Sequence, residues 1–417
     1  AWVPQTHMGL GLVYLSQDAA ATALEHFRRV EVLSPHSPLA RTARRLHGVC
    51  LLRLERFDEA LPVFQVLLVP PATAEETEQV VFYLGEALSG LGRYEEAVQA
   101  YQRCLDVYPD STWDNLAWFG LGWAHFQRGR CDESLEAFSR YQPGVSANHD
   151  AQALFAHASC LVRLGEDERA ATLLNRLEDA APSHPLARES GLLLADIDHR
   201  HGRLDLAATR LERLLVEAHE APWRFRASLD LGMVRLAQGD VERAERHLTV
   251  ARETPDSAVF LAALNGLGDV RMFVGDLEGA ERWYHNVQVL SQEDGLERTD
   301  QAMTPAEAYA TYQVGRIQLL RGQPEAAATT FDRTRRLARP PLADDASLSL
   351  ALAYIHRREE ARASAVLETI RRTQPGAPPA SRAAYYLALL ALAEGRGDEA
   401  RRFCEEAIAG APHSGEG

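Results

Sequence analysis

Apolar residues in this chain recur at helical spacing, and the recurrence is itself repeated. Within a stretch, positions three and four apart carry apolar side chains, as at Leu84, Leu88 and Leu91, which predicts an amphipathic helix. Each stretch is anchored by one small residue: Gly11, Gly48, Gly85, Gly122, Ala158, Ala195, Gly232, Gly268, Gly315, Ala351 and Ala388. Twelve residues later comes Ala or Ser, at Ala23, Ala60, Ala97, Ser134, Ala170, Ala207, Ala244, Ala280, Ala327, Ala363 and Ala400. Four further on comes an aromatic, Leu or Cys, at Phe27, Phe64, Tyr101, Phe138, Leu174, Leu211, Leu248, Tyr284, Phe331, Leu367 and Cys404. Self-similarity at a fixed period dictates the architecture before any single motif can.

Each copy reads as two helices. Seven residues after the small residue stands a Gly in eight copies: Gly92, Gly129, Gly165, Gly202, Gly239, Gly275, Gly322 and Gly395. There the first helix must end in a left-handed residue, which glycine adopts without a Cβ penalty. The second helix is predicted over Tyr94–Val107 in one copy, with Ala97, Tyr101 and Cys104 on one face. It stops near a proline; Pro35, Pro109, Pro182, Pro375 and Pro412 share this position. Thr73 with Glu76, and Ser111 with Asp114, have capping-box spacing at helix starts. One such hairpin cannot bury its apolar face alone, so neighbours must stack.

The set Leu84-Gly85, Leu88, Gly92, Tyr94, Ala97, Tyr101 and Pro109 resembles the tetratricopeptide repeat, as does the set Leu10-Gly11, Tyr14, Ala23, Phe27 and Pro35. The resemblance covers essentially the whole chain. It implies an all-α fold, a right-handed α-α superhelix of about eleven helix-turn-helix repeats with a concave groove where peptides lie. Residues 1–290 hold repeats one to eight, 291–304 (SQEDGLERTDQAMT) a polar insertion loop, 305–412 repeats nine to eleven, and 413–417 a tail. Most copies are 36 or 37 residues apart, whereas the family's commonest unit is about 34. That spacing, with a YPDS turn at 108–111, is similar to bacterial envelope members such as Tol-Pal-associated and outer-membrane-assembly lipoproteins. Similar turns occur in cytoplasmic members, so the compartment stays open with the envelope favoured.

Composition narrows the function. A length of 417 residues would ordinarily suggest two or three globular domains, but the repeats predict one solenoid. The chain has no lysine, so all 44 basic residues are Arg. A P-loop, a protein kinase and a pyridoxal Schiff base each need a lysine, and this chain supplies none. A net charge of −15 argues against nucleic acid and against an anionic membrane surface. The longest apolar stretch, Ala383 to Ala393, is too short to span a bilayer. The chain opens on Ala1 without a signal-peptide pattern and reads as a processed product or a fragment. Its five cysteines, Cys50, Cys104, Cys131, Cys160 and Cys404, form no C-x-x-C pair, and four of them fall on packing positions. This argues against a disulfide framework and weighs against an oxidising compartment.

Catalytic and cofactor chemistry find no foothold. Gly120-Leu121-Gly122 and Gly266-Leu267-Gly268 imitate part of a nucleotide fingerprint, but they lie inside predicted helices and read as close-packing positions. Asp196 and His199 are three apart on one helix face, yet two ligands are too few for a metal. His47 and His157 share a repeat position and read as packing variants. No catalytic residue, metal site or cofactor is expected.

The strongest pointer to function is aromatic. Trp113, Trp118 and Trp123 lie within eleven residues, beside Phe119 and Phe126. Helical spacing puts Leu116, Phe119, Trp123 and Phe126 on one face, which the resemblance assigns to the groove, while Trp118 takes the family's structural tryptophan position. The equivalent positions elsewhere give Phe82 and Glu86, Phe155 and Arg163, Asp196 and His199, Asn265 and Asp269, and Tyr309, Tyr312 and Arg316. Aromatic and Arg side chains are the usual anchors of an interface. The partner-binding set is therefore Phe82, Leu116, Phe119, Trp123, Phe126, Phe155, Tyr309, Tyr312 and Arg316. The lysine-containing clamp with which some members hold acidic chaperone tails is missing. These residues predict a non-catalytic scaffold or adaptor for a protein or peptide segment, without nucleic acid or membrane insertion. Two settings fit: a subunit or assembly factor of a bacterial envelope or secretion complex, or the sensory arm of a larger signalling or transcription-regulating protein.

Overall fold

The computed structural model describes residues 2–68, 74–107, 112–217, 223–293 and 303–410. Among these residues there are 22 α-helices and no strand, so the chain is an all-α solenoid of helical hairpins. In order they are α1 Val3–Ser16, α2 Ala20–Leu33, α3 Pro38–Arg53, α4 Phe57–Leu67, α5 Ala74–Gly90, α6 Tyr94–Val107, α7 Asp114–Gln127, α8 Cys131–Arg140, α9 Ala147–Arg163, α10 Asp167–Ala180 and α11 Pro185–Arg200. There follow α12 Leu204–Glu217, α13 Trp223–Ala237, α14 Val241–Ala251, α15 Ser257–Phe273, α16 Leu277–Glu293, α17 Pro305–Leu320, α18 Pro324–Leu337, α19 Leu342–His356, α20 Glu360–Thr373, α21 Pro378–Ala393 and α22 Gly397–Ala409. Contacts gather these into two compact units, 1–197 and 198–417. The insertion expected at 291–304 begins inside α16, and residues 294–302 lie outside the described residues. So do Thr73, Ser111, the YPDS turn, Pro412 and the tail.

The recurring small residues have a direct steric cause. A Cβ placed on Gly11, Gly48, Gly85, Gly122, Gly268 or Gly315 would come within 2.5–2.9 Å of the ring sixteen residues on, inside van der Waals contact. Copies with Phe or Tyr at that place all carry Gly, whereas those with Ala carry the slimmer Leu or Cys. Gly232 with Leu248 is the exception, and there too a Cβ would meet Leu248 at 2.7 Å. The residues at plus twelve are sealed at 0% exposure in ten copies and 6% at Ala400. The single Ser among them, Ser134, donates its hydroxyl to the Gly122 carbonyl at 2.9 Å, which satisfies a polar group with no access to water. Gly120 and Gly266 are close-packing positions as expected; a Cβ would lie 2.5 Å from Tyr101 and 2.7 Å from Leu248 respectively.

Helix α6 spans the predicted Tyr94–Val107. All eight glycines expected at the first helix's end are left-handed, with φ between 71° and 80°. The three copies without glycine adopt the same backbone at Asp18, Glu55 and Arg358, with φ of 57–59°. Here the hairpin geometry overrides residue preference at a cost of about 1–2 kcal/mol each. Cys50, Cys104, Cys131 and Cys160 are buried and Cys404 is exposed. Burial lifts the Cys50 thiol to about 11 and those of Cys104 and Cys160 to about 12, which leaves them unreactive as nucleophiles.

Within each unit consecutive helices pack on each other, and odd-numbered helices also touch the next odd-numbered one. In the first unit this links α1, α3, α5, α7 and α9, and in the second α13, α15, α17, α19 and α21. Within each unit, among the described residues, no even-numbered helix touches the next even-numbered one. The odd helices therefore form the tighter, inner layer of each unit, and that layer carries the predicted groove positions.

Candidate functional site

In the first unit the predicted aromatic residues pack chiefly against their own fold. Phe82 is buried, with ring centroids of Trp113 at 5.0 Å, Tyr83 at 5.6 Å and Tyr101 at 6.0 Å. Phe119 is buried against Tyr141 at 5.6 Å and stands edge-on to His149 at 4.6 Å. Trp123 and Phe126 are half-buried at the edge of that cluster, 5.6 Å apart, with the Arg163 guanidinium 5.3 Å from the Phe126 ring centroid. Leu116 packs with Trp118 against the core of the preceding helices, and Arg140 lies 4.6 Å over the Trp118 ring. Phe155 joins a separate cluster around Leu161 and Leu174. The structure thus divides these six candidates among three packing clusters, and it is Trp123 and Phe126 that meet as a pair. His157 stacks on Phe138, but His47 is more than a packing residue: its Nδ1 lies 2.9 Å from Glu31 Oε1.

The second unit gathers its candidates differently. Two copies of the repeat carry Tyr at plus sixteen, and in both an acid directly follows the small residue: Glu86 after Gly85, and Asp269 after Gly268. The structure makes these pairs hydrogen bonds. The Tyr101 hydroxyl donates to Glu86 Oε1 at 2.5 Å, and that of Tyr284 to Asp269 Oδ1 at 2.7 Å. Asp269 takes more: the Tyr309 hydroxyl donates to its two oxygens at 3.0 and 2.9 Å, and Gln313 Nε2 to Oδ1 at 3.0 Å. Gln313 also donates to Tyr309 Oη at 2.6 Å, and Arg316 Nη1 donates to Gln313 Oε1 at 2.9 Å. Tyr309, Gln313 and Arg316 are thereby tied into one network centred on a carboxylate. Tyr312 turns elsewhere, to Phe331 at 5.7 Å and Ser349 Oγ at 3.2 Å.

Burial pushes the Asp269 carboxyl above its usual range, against the lowering pull of the Tyr284 and Tyr309 hydrogen bonds and the Arg316 charge. Glu86 is also raised by burial, with its bond to Tyr101 opposing. The phenols respond in turn; burial, then the carboxylate beside them, drives Tyr101, Tyr284 and Tyr309 upward, so all three remain donors.

Beside Asp269 the inner layer opens into a hollow of about 570 Å³ between α13, α15 and α17. Its walls are mostly apolar, from Leu229, Met233, Leu261, Ala262, Gly266 and Ala306. Among the described residues its charged lining side chains are both acids, Asp230 and Asp269. Asn265 also lines it at 5% exposure; its Nδ2 donates to the Ala306 carbonyl at 3.1 Å, while its Oδ1 has no hydrogen-bond partner. Among the described residues no three His, Cys, Asp or Glu side chains converge as a metal site would need, and no helix is long and apolar enough to cross a membrane.

The comparisons with known proteins agree with this geometry. A family model described as tetratricopeptide repeat matches residues 9–76, 82–149, 312–378 and 361–415, and one described as tetratricopeptide repeat-like domain matches 120–302. Among curated proteins, Protein CTR9 homolog of Arabidopsis thaliana is 24% identical over 267 residues, which is 62% of this chain. The match spans 23% of that relative's length. Among solved structures the apo form of RapI aligns with a TM-score of 0.56 at 12% identity, covering 85% of this chain and 98% of that one, a likeness of fold. A tetratricopeptide repeat protein from Parabacteroides merdae aligns with a TM-score of 0.45 at 17% identity, over 64% of this chain and all of that one. With the repeat signature, the hairpin geometry and family matches over more than half of its residues in agreement, this chain belongs to the tetratricopeptide repeat family, whose fold serves protein–protein interaction.

Proposed function

We propose that this protein is a non-catalytic scaffold that holds a segment of another protein along the inner layer of odd-numbered helices. The observation that carries the reading is the open hollow between α13, α15 and α17. About 570 Å³ stays open there on the inner face, bounded in part by small residues such as Ala262 and Ala306. A mostly apolar concavity with a few convergent polar groups is the usual form of a binding site. Trp123, Phe126 and Arg316 supply further half-exposed or exposed contacts on the same layer of their respective units.

The setting we favour is a subunit or assembly factor of a bacterial multiprotein complex in the envelope or secretion machinery, supported by the 36–37-residue spacing. A second setting, the regulatory arm of a larger protein, draws support from the curated relative, whose matching repeats form 23% of a much longer chain. Affinity purification from the native host with mass spectrometry tests the reading. The full chain is compared with Arg316→Glu and with Trp123→Ala/Phe126→Ala, each checked for fold by circular dichroism. A stoichiometric partner that is lost from a folded variant supports the inner layer as the interface and identifies the setting. A partner retained by all folded variants overturns the reading.

A further inference from the structure

The hollow between α13, α15 and α17 has a chemistry of its own. Leu229, Met233, Leu261 and Ala306 offer an apolar sleeve. The charges on the lining are negative, from Asp230 and Asp269, and among the described residues no basic side chain lines it. Arg316, the cation whose field reaches Asp269, is turned to Gln313 and is not part of the lining. Asn265 adds a second, independent sign: a lining side chain 95% buried, by its 5% exposure, whose Oδ1 accepts nothing from the protein. A buried acceptor without a donor is costly unless something supplies one. Apolar walls, two acids and an idle acceptor together describe a receptor for a side chain with an aliphatic stem and a charged donor at its tip.

We infer that this hollow is the specificity pocket of the scaffold and receives an arginine side chain, flanked by apolar residues, from the bound segment of the partner protein. The inference rests on the scaffold reading above and adds the partner's chemistry to it. The guanidinium lies toward Asp269 and Asp230, the stem along Met233 and Leu261, and the neighbouring apolar side chains occupy the remaining volume, which exceeds that of one side chain. Arginine suits the site because its planar fork donates to a carboxylate and to an amide oxygen at once and is only weakly hydrated.

The test uses the full chain labelled on its methionine methyl groups. The chain has 4 methionines, and Met233 alone of them lines the hollow. Two acetylated, amidated peptides, Leu-Arg-Leu and Leu-Gln-Leu, are titrated separately and the methyl resonances followed. The expected result is a shift of the Met233 resonance, with a midpoint for the arginine peptide at least about tenfold lower than for its glutamine counterpart. Asp269→Asn keeps an acceptor for Tyr284 and Tyr309 but removes the charge, and should abolish that preference. Asp230→Asn, on α13, reports on the same point if the first variant is unstable. Equal midpoints, or an unmoved Met233 resonance, overturn the inference. If the partner still depends on Arg316 or Trp123 in that case, the scaffold reading survives and the arginine pocket alone falls.

Discussion

The aromatic stretch around α7 and the inner face of α15 and α17 are built from the same repeat and reach opposite outcomes. Around α7 large rings fill the space between helices, and Phe82 and Phe119 are covered by their own neighbours. At α15 and α17 the inner face is lined by Ala262, Gly266 and Ala306, and the space remains. The tyrosine–acid pairs make the contrast sharper. Glu86 receives the Tyr101 hydroxyl within a packed ring cluster, whereas Asp269 collects two tyrosines and a glutamine at the edge of a hollow. Bulky residues mark where a solenoid is well packed; a site is marked by where bulk is withheld and polar groups converge.

The largest expected effect concerns the glycines that both regions share. Gly85→Ala and Gly268→Ala should each cost about 1–3 kcal/mol, because the new Cβ meets Tyr101 at 2.7 Å or Tyr284 at 2.5 Å. Changing the ring to Leu in the same chain imitates the Ala195 and Leu211 copy and should recover much of that loss. Denaturant unfolding of the single and double variants reads the coupling; strictly additive effects would break the steric account.

Next comes a difference between the regions. Tyr101→Phe leaves Glu86 without the donor that the structure gives it, and should cost roughly 1–3 kcal/mol. Tyr284→Phe leaves Asp269 with Tyr309 and Gln313, so the loss should be smaller, at about 1 kcal/mol. Thermal denaturation in one buffer decides the order, and a larger loss at Tyr284 would reverse the comparison.

The pH dependence follows from the raised carboxyls. Above the unfolded values, about 4.3 for Glu and 3.9 for Asp, the unfolded chain sheds a proton that the folded chain keeps. Each group therefore subtracts stability as pH climbs, until its raised folded value is passed. Glu86→Gln removes that loss. Relative to the parent, its stability should improve between acid and neutral pH, as melting curves across that range would register. A difference that stays flat with pH would show that Glu86 titrates normally.

The smallest effect should be equal in both units. Glu55→Gly and Arg358→Gly each relieve a left-handed non-glycine residue and should stabilise by about 1 kcal/mol, since φ is 57° and 59°. Unequal or opposite shifts in unfolding midpoint would mean that the hairpin turn differs between the units.

Much of the fold was legible because packing enforces it residue by residue. The spacing from Gly85 to Ala97 to Tyr101 is a list of contacts, and the span of α6 and the left-handed glycines follow from it. Asp18, Glu55 and Arg358 escaped notice because their left-handed backbone is imposed by the hairpin and carries no glycine. The site was legible only in its register. Asn265, Asp269, Tyr309 and Arg316 could be placed on the inner face, but Gln313, which joins them, carries no aromatic or charged signal. Met233 and Leu229 belong to the preceding copy, anchored at Gly232 and not at Gly268, and a hollow bounded by three helices leaves no contiguous trace. One signal was available: an acid directly after the small residue in the two copies that end in tyrosine.

The most direct test of the scaffold account is site-specific photo-crosslinking in the native host, with the crosslinker placed at Arg316 on the inner layer or at Glu242, which is exposed on α14. The account predicts a discrete adduct with one partner protein from position 316 and none from position 242. Adducts from position 242 alone, or the same adduct from both, would contradict it.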